Sequence, residues 1–289
     1  MKLTKKIAVS YYRTKFRCLG LIAPSKAASS AFKLFCTPPS GKIKPTVPAI
    51  FDKADSVSLK IENNITMRGW QWLPQGKIDK TVLIMHGFDS YCFRFEKYIR
   101  PLLREGFSIL AFDAPGHGRS DGKTIHSLQY KNAVHCIEKK FGELYGIIGH
   151  SMGGLAASLA SEQMPHLKKL VLIAPAVEIK RPINNFSTKL ALPKRVKDRM
   201  YNLIVKLAKN PVSYFEVGRA IEKISTPTLW LHDEEDIVCP MEDVAPVKES
   251  CLPHVTFKIS KGLGHSNIYR DAQSVKTIVD FLKVEPCLA

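Results

Sequence analysis

No stretch of this chain approaches the ~18–20 consecutive apolar residues needed to cross a bilayer, so a membrane-spanning bundle is excluded. No C-x-x-C pair occurs among the seven cysteines (Cys18, Cys36, Cys92, Cys136, Cys239, Cys251 and Cys287). Their odd number and irregular spacing indicate neither a disulfide framework nor a structural zinc site, and a reducing compartment fits best. No internal repeat is visible at a period of about 20–50 residues. Neither a dinucleotide fingerprint nor a phosphate loop is present, and His232 beside its acidic neighbours has no second histidine at ligand spacing. No cofactor and no metal are therefore expected.

Acid is missing from the first 51 residues, which hold ten Lys or Arg. A second basic segment, residues 180–209, holds nine against the single acid Asp198. Together they account for the formal charge of +17, and the rest of the chain is close to neutral. Charge so localised suggests attraction to something anionic, such as a lipid surface, an acidic substrate or nucleic acid. Solvated surface that aids solubility explains it equally well. The basic start (Met1 to Lys6) would suit a signal peptide, but Arg13, Lys15 and Arg17 break up the adjoining segment and the apolar stretch Cys18–Pro24 is short. A retained amphipathic extension is the favoured expectation and a signal sequence the other reading.

The remaining 45% of apolar residues against 24% charged is ordinary for a globular chain. Residues 1–50 read as one or two short helices and a loop containing Pro38, Pro39, Pro45 and Pro48. Alternating segments Ser56–Ile61 and Ile65–Trp72, joined by Asn63-Asn64, read as an antiparallel hairpin. Apolar runs then recur at 81–85, 107–112, 145–148, 170–174, 228–232 and 256–259. Helical segments at 95–105, 128–140, 152–164 and 272–284 alternate with them. This pattern indicates βαβ units around a buried parallel sheet, with right-handed crossovers and helices on both faces. Between Ala176 and Glu222 the rhythm breaks for 47 residues without a clear strand. That is too long for a connecting loop and is expected to form a helical cap over the sheet's carboxyl edge. Within it, 193–210 reads as a basic amphipathic helix with Val196, Met200, Leu203, Ile204 and Leu207 at helical spacing, a stripe expected to face the core. The expected organisation is a basic extension (1–50), a core (51–175 and 223–289) and a cap (176–222).

The chemical signal is Gly149-His150-Ser151-Met152-Gly153, which directly follows a strand-like run and directly precedes a helix. A nucleophile elbow needs this arrangement, because a sharp turn lifts the hydroxyl above the sheet and larger side chains than glycine would collide there. The helix N-terminus then lies where negative charge develops. A serine hydroxyl needs an adjacent base. His265, in the loop Lys261-Gly-Leu-Gly-His-Ser266 between the last strand and the last helix, stands at the carboxyl edge where sites of open α/β sheets gather. The acid should follow the preceding strand, where Asp233, Glu234, Glu235 and Asp236 are all candidates. Ser, then acid, then His is the chain order of the α/β-hydrolase fold.

The sequence resembles the α/β-hydrolases, nearest the serine-aminopeptidase-like and monoacylglycerol-lipase-like group, over roughly residues 56–285. The resemblance rests on His86-Gly87-Phe88, on Phe112-Asp-Ala-Pro-Gly-His-Gly-Arg-Ser120, on Gly149-His-Ser-Met-Gly-Gly154, on the acid loop and on Gly264-His265. It implies an α/β-hydrolase fold with a mostly parallel central sheet, helices on both faces and a helical cap insertion. It also implies an oxyanion hole from the backbone N–H groups of Phe88 and Met152, and a scaffold role for His86. The family's pattern puts the acid just before the Ile-Val pair, which selects Asp236, with Asp233 and Glu178 as the alternatives. His117, His150, His126, His135, His166 and His254 are read as loop-shaping, packing or surface residues.

The expected activity is that of a serine hydrolase cleaving a lipid-like or small acyl ester through an acyl-enzyme, with Ser151, His265 and Asp236 as the triad. The same triad would serve a thioesterase, an amidase or peptidase, or an acyltransferase. From another class, a non-catalytic lipid- or nucleic-acid-binding protein on a hydrolase scaffold is the competing reading. Expected partners are a small-molecule acyl substrate and, peripherally, an anionic membrane reached through residues 1–50 and 180–209. Nucleic acid is disfavoured, a cytoplasmic location is expected, and no feature fixes an oligomeric state.

Overall fold

The computed structural model describes residues 3–42, 46–76 and 80–285. Pro45 and Cys287 lie outside them, as do Lys2 and Lys44 of the basic extension. The chain runs through α1 (Leu3–Ile22), α2 (Pro24–Phe35), β1 (Asp55–Ile61), β2 (Ile65–Trp72), β3 (Thr81–Met85), α3 (Glu96–Arg104), β4 (Ser108–Phe112), α4 (Ser127–Phe141) and β5 (Gly146–His150). It continues through α5 (Met152–Ser161), β6 (Lys169–Ile173), α6 (Lys180–Lys189), α7 (Lys194–Ala208), α8 (Val217–Ile221), β7 (Thr228–Asp233), α9 (Met241–Glu249), β8 (Val255–Ser260), α10 (Gly264–Asn267) and α11 (Ala272–Lys283). These elements form two compact units, Met1–Thr37 with Glu178–Phe215, and Pro38–Val177 with Glu216–Ala289.

The larger unit is built on an eight-stranded sheet in the order β1-β2-β4-β3-β5-β6-β7-β8. β1 and β2 pair antiparallel across Asn63 and Asn64, whose φ angles of 59° and 57° suit a tight hairpin turn. β2 lies antiparallel on β4, and from β4 to β8 every pairing is parallel. The inner strands β3 to β7 are buried almost throughout because both of their faces are covered, whereas the edge strand β8 alternates half-buried with exposed residues. Val82, Ile84, Ile109, Ile148, Val171 and Leu229 join one core with Tyr98, Ile99 and Leu102 of α3 and Ile278 and Leu282 of α11. The alternate side chains Leu83, Leu110, Ile147 and Leu172 are equally buried and point to the other face, where α4 and α5 pack. Parallel strands release the chain at one common edge, so the loops after β3, β4, β5, β7 and β8 gather there.

Several boundaries shift by one to three residues from the sequence reading, and two of the shifts have a visible cause. Phe107 belongs to the turn before β4, its N–H bound to Leu102 O at 3.1 Å. α5 stops at Ser161 because the N–H groups of Gln163 and Met164 close three-residue turns on Ala160 O and Ser161 O.

The smaller unit consists mainly of four helices, α1, α2, α6 and α7. α1 is a single 20-residue helix rather than a short one, uninterrupted until Ala23-Pro24. The Arg13 guanidinium donates to Lys189 O (3.1 and 2.9 Å), Arg199 Nη1 donates to Ser25 Oγ (3.0 Å), and the Phe35 and Phe186 rings meet edge to face at 5.3 Å. α1 and α2 therefore form one folded body with the mid-chain helices α6 and α7. α7 buries Val196, Met200, Ile204 and Ala208, whereas Leu207, expected in the stripe, is half exposed. Residues 38–42 and 46–50, read from the sequence as part of the extension, belong to the larger unit. There Ser40 N–H and Oγ–H donate to the Asp89 carboxylate at 2.9 and 2.7 Å, and Trp72 Nε1–H donates to Ile50 O at 2.9 Å. Among the described residues no helix is long and apolar enough to cross a membrane.

Candidate active site

Ser151 sits where β5 turns into α5, with φ 53° and ψ −121°. A non-glycine residue there is strained by about 1–3 kcal/mol and persists only when its surroundings over-determine it. Its N–H donates to Ile173 O (3.1 Å), and its carbonyl accepts from the N–H groups of Gly154, Leu155 and Ala176 at 2.9–3.1 Å. The flanking glycines are demanded by contact. A Cβ on Gly149 would stand 2.7 Å from Gly153 O, and one on Gly153 would stand 2.6 Å from Met85 O. A Cβ on Gly87 would stand 2.9 Å from Ser151 Cβ, which puts the loop after β3 directly against the serine.

That loop carries Phe88. The backbone N–H groups of Phe88 and Met152 have no acceptor among the described residues, so two free donors flank the elbow. Two neutral histidines and one aspartate hold the loop. His86 donates Nδ1–H to Gly87 O (2.7 Å) and accepts from Ala114 N–H at Nε2 (2.9 Å). His117 donates Nδ1–H to Pro115 O (3.0 Å) and accepts from Asp89 N–H (3.0 Å). Burial above all lowers both rings to a pKa of about 4. Asp113 accepts from Cys92 N–H (3.0 Å) and Arg119 N–H (2.9 Å). The loops after β3 and β4 thus clamp one another, a role that the histidine motifs hinted at and Asp113 did not.

Asp236 and His265 are brought together: imidazole Nδ1 lies 2.7 Å from Asp236 Oδ2. Asp236 Oδ1 accepts from Val238 N–H (2.8 Å) and Cys239 N–H (2.9 Å). Burial pushes this carboxyl up, but the hydrogen bonds from His265, Cys239 and Val238 outweigh it and hold the group below the ordinary aspartate value. Asp233 does something else. It accepts from Glu235 N–H (3.0 Å), Ser260 Oγ–H (2.7 Å), Leu263 N–H (3.1 Å) and Gly264 N–H (2.9 Å), tying the acid loop to the histidine loop. Glu178 lies in the smaller unit and caps α6, accepting from Lys180 N–H (2.8 Å) and Arg181 N–H (2.5 Å). Ser151 Oγ makes no hydrogen bond to His265, and such bonds commonly tighten only with substrate in place.

The sequence reads His150 only as packing or bonding locally and His232 only as lacking a metal partner; the structure gives each a defined acceptor. His150 donates Nε2–H to the carbonyl of His265 itself (3.0 Å), and its ring packs 4.5 Å from that of Tyr269 and 4.8 Å from that of His265. Burial, then the neighbouring His265, drives its pKa down to about 3. His232 donates Nε2–H to Cys239 O (2.7 Å), bracing the acid loop from below.

Solved structures share this fold. An esterase from Pyrococcus furiosus superposes with a TM-score of 0.63 over 86% of this chain and 97% of that one, at 23% identity. The family model described as serine aminopeptidase, S33, matches residues 76–215. The chain has the α/β-hydrolase fold. It is 28% identical over 223 residues to a Mycoplasma pneumoniae protein named "Putative esterase/lipase 2", covering 65% of this chain and 82% of that one. It is also 28% identical over 115 residues to the monoglyceride lipase of Rattus norvegicus, 37% of this chain and 38% of that enzyme. In α/β-hydrolases the elbow, the acid loop and the histidine loop meet at the carboxyl edge of the sheet. In this chain Ser151, Asp236 and His265 lie in the segments that follow β5, β7 and β8.

Proposed function

We propose that this hydrolase cleaves a carboxylic ester, lipid-like or with a small acyl group, through an acyl-enzyme on Ser151. The observation that carries the reading is the His265 Nδ1–Asp236 Oδ2 pair at 2.7 Å in the loop beside a serine held on a strained elbow. With Nδ1–H directed at the carboxylate, Nε2 is the nitrogen free to act as base. Ser151 Oγ attacks the substrate carbonyl carbon as Nε2 takes its proton. The developing oxyanion is met by the N–H groups of Phe88 and Met152, a stabilisation of about 3–4 kcal/mol for one such donor. The imidazolium then protonates the leaving alcohol. Water, activated by the same nitrogen, attacks the acyl-enzyme and restores the serine.

Ester is the favoured bond because relatives in the sequence comparison are named for esterase, lipase and monoglyceride lipase activity. Peripheral contact with a membrane rests on the helical unit and is independent of this site. A fluorophosphonate probe and a p-nitrophenyl ester series of increasing acyl length test the proposal. Wild type is expected to label and to turn over ester. Ser151→Ala is expected to lose labelling and to fall by on the order of 10⁴-fold or more in kcat. Turnover by Ser151→Ala equal to wild type would falsify the assignment.

A further inference from the structure

α1 has two different long faces. One is anchored within the helical unit. Phe16 is fully buried, Arg13 is bonded to Lys189 O, and Gly20 lies so close to α7 that a Cβ would stand 2.8 Å from Val196 Cγ2. The other face is largely apolar and uncovered, with Thr14 interrupting it. Ile7, Tyr11, Cys18, Leu21 and Ile22 follow one another at helical spacing and share a single stripe. Ile7, Tyr11, Leu21 and Ile22 are 61, 60, 66 and 85% exposed. Exposed Lys6 and Arg17 border the stripe on one side. Lys15 borders it on the other, its Nζ 5.9 Å from the Tyr12 ring centroid. No acid lies within reach along the helix.

We propose that this face of α1 is a docking surface for an anionic lipid bilayer, with the apolar row inserted among the headgroups and the basic borders paired with lipid phosphates. An apolar stripe with cationic edges is the design of a helix that lies in a membrane interface. Charge selects this occupant over the others. Residues 1–37 and 178–215 hold seventeen Lys or Arg and only two acids, Glu178 and Asp198. The unit therefore carries fifteen of the seventeen net positive charges. A second copy on the same face would set this charge against itself, and nucleic acid would leave the apolar row without a partner. At 20 residues α1 is roughly 30 Å long, but it is not apolar enough to cross a bilayer, so docking along the surface is the geometry open to it. It precedes residues 76–215, the part matched by the family model, so the surface belongs to this chain's own extension. The inference does not rest on the chemistry at Ser151.

The test is co-sedimentation of the full chain with vesicles of phosphatidylcholine alone and of phosphatidylcholine mixed with phosphatidylglycerol. Wild type is expected to bind the mixed vesicles, less so as salt rises, and to leave the neutral ones largely in solution. The triple variant Ile7→Ser, Leu21→Ser, Ile22→Ser, which alters exposed side chains only, is expected to bind on the order of 100-fold more weakly while keeping its esterase rate on a soluble substrate. Tyr11→Trp supplies a second readout, its emission shifting to the blue on addition of mixed vesicles. No binding to mixed vesicles, equal binding by the triple variant, or no emission shift would each overturn the proposal. So would self-association, or binding to duplex DNA, that the triple variant abolishes.

Discussion

His150 Nε2–H donates to the carbonyl oxygen of His265 at 3.0 Å, so the residue preceding the elbow serine holds the loop that carries the proposed base. The link is partly buried and backed by the ring of Tyr269. His150→Phe keeps an aromatic ring against Tyr269 and His265 and removes the donor. Its kcat on p-nitrophenyl butyrate is expected to drop by about 10- to 100-fold with KM little changed, as when a positioning group shifts a reacting side chain by a fraction of an ångström. Fluorophosphonate labelling should slow in proportion. A fall in stability with kcat intact would assign His150 to packing alone.

Asp236 and Asp233, three residues apart, separate into two functions by what they meet. Asp236→Asn keeps the shape but misdirects the imidazole tautomer. Its kcat is expected to fall on the order of 10³–10⁴-fold with the urea midpoint nearly unchanged. Asp233→Asn loses acceptor strength toward four donors, and a destabilisation of about 1–3 kcal/mol is expected. The folded Asp233 carboxyl lies below its ordinary value: burial raises it, but bonds from Ser260, Gly264, Leu263 and Glu235 outweigh burial. Its contribution is therefore complete above the ordinary aspartate range and is lost as pH falls through the folded value. The difference in urea midpoint between wild type and Asp233→Asn should shrink between pH 7 and pH 3. A difference that grows on acidification would contradict this sign.

The strands and most helices were legible in the sequence because each parallel strand is a short apolar run bounded by turns, a pattern that buried sheets impose. The three loops of the candidate site were legible for the same reason, since strand order dictates which loops share an edge. The choice between Asp233 and Asp236 was different. Sequence spacing left both open and resemblance selected one; the geometry separates a carboxylate on an imidazole from a carboxylate on four donors. The role of His150 was hidden because it depends on the carbonyl of a residue 115 positions away. The joining of α1 and α2 to α6 and α7 was hidden too. One amphipathic pattern says that a face is buried, not which distant helix buries it.

The buried histidines make a final prediction about acid. His86 and His117 are lowered to about 4 and His150 to about 3, burial being the largest cause in each. Each is neutral when folded, with both partners of His86 and His117 requiring one tautomer. In the unfolded chain each returns to 6.5. As pH falls from 6.5 toward 4 the unfolded state binds protons that the folded state refuses, so stability is present above 6.5 and drains away below it. Each group contributes a slope of up to about 1.4 kcal/mol per pH unit in that window. Urea unfolding at pH 7.5, 6, 5 and 4.5 should therefore show stability declining steeply below pH 6. His117→Gln, which cannot titrate, should decline less steeply by about one proton's worth while starting from a lower value at pH 7.5. Parallel curves for wild type and His117→Gln would mean that His117 titrates alike in both states, and the neutral clamp between the loops after β3 and β4 would have to be abandoned.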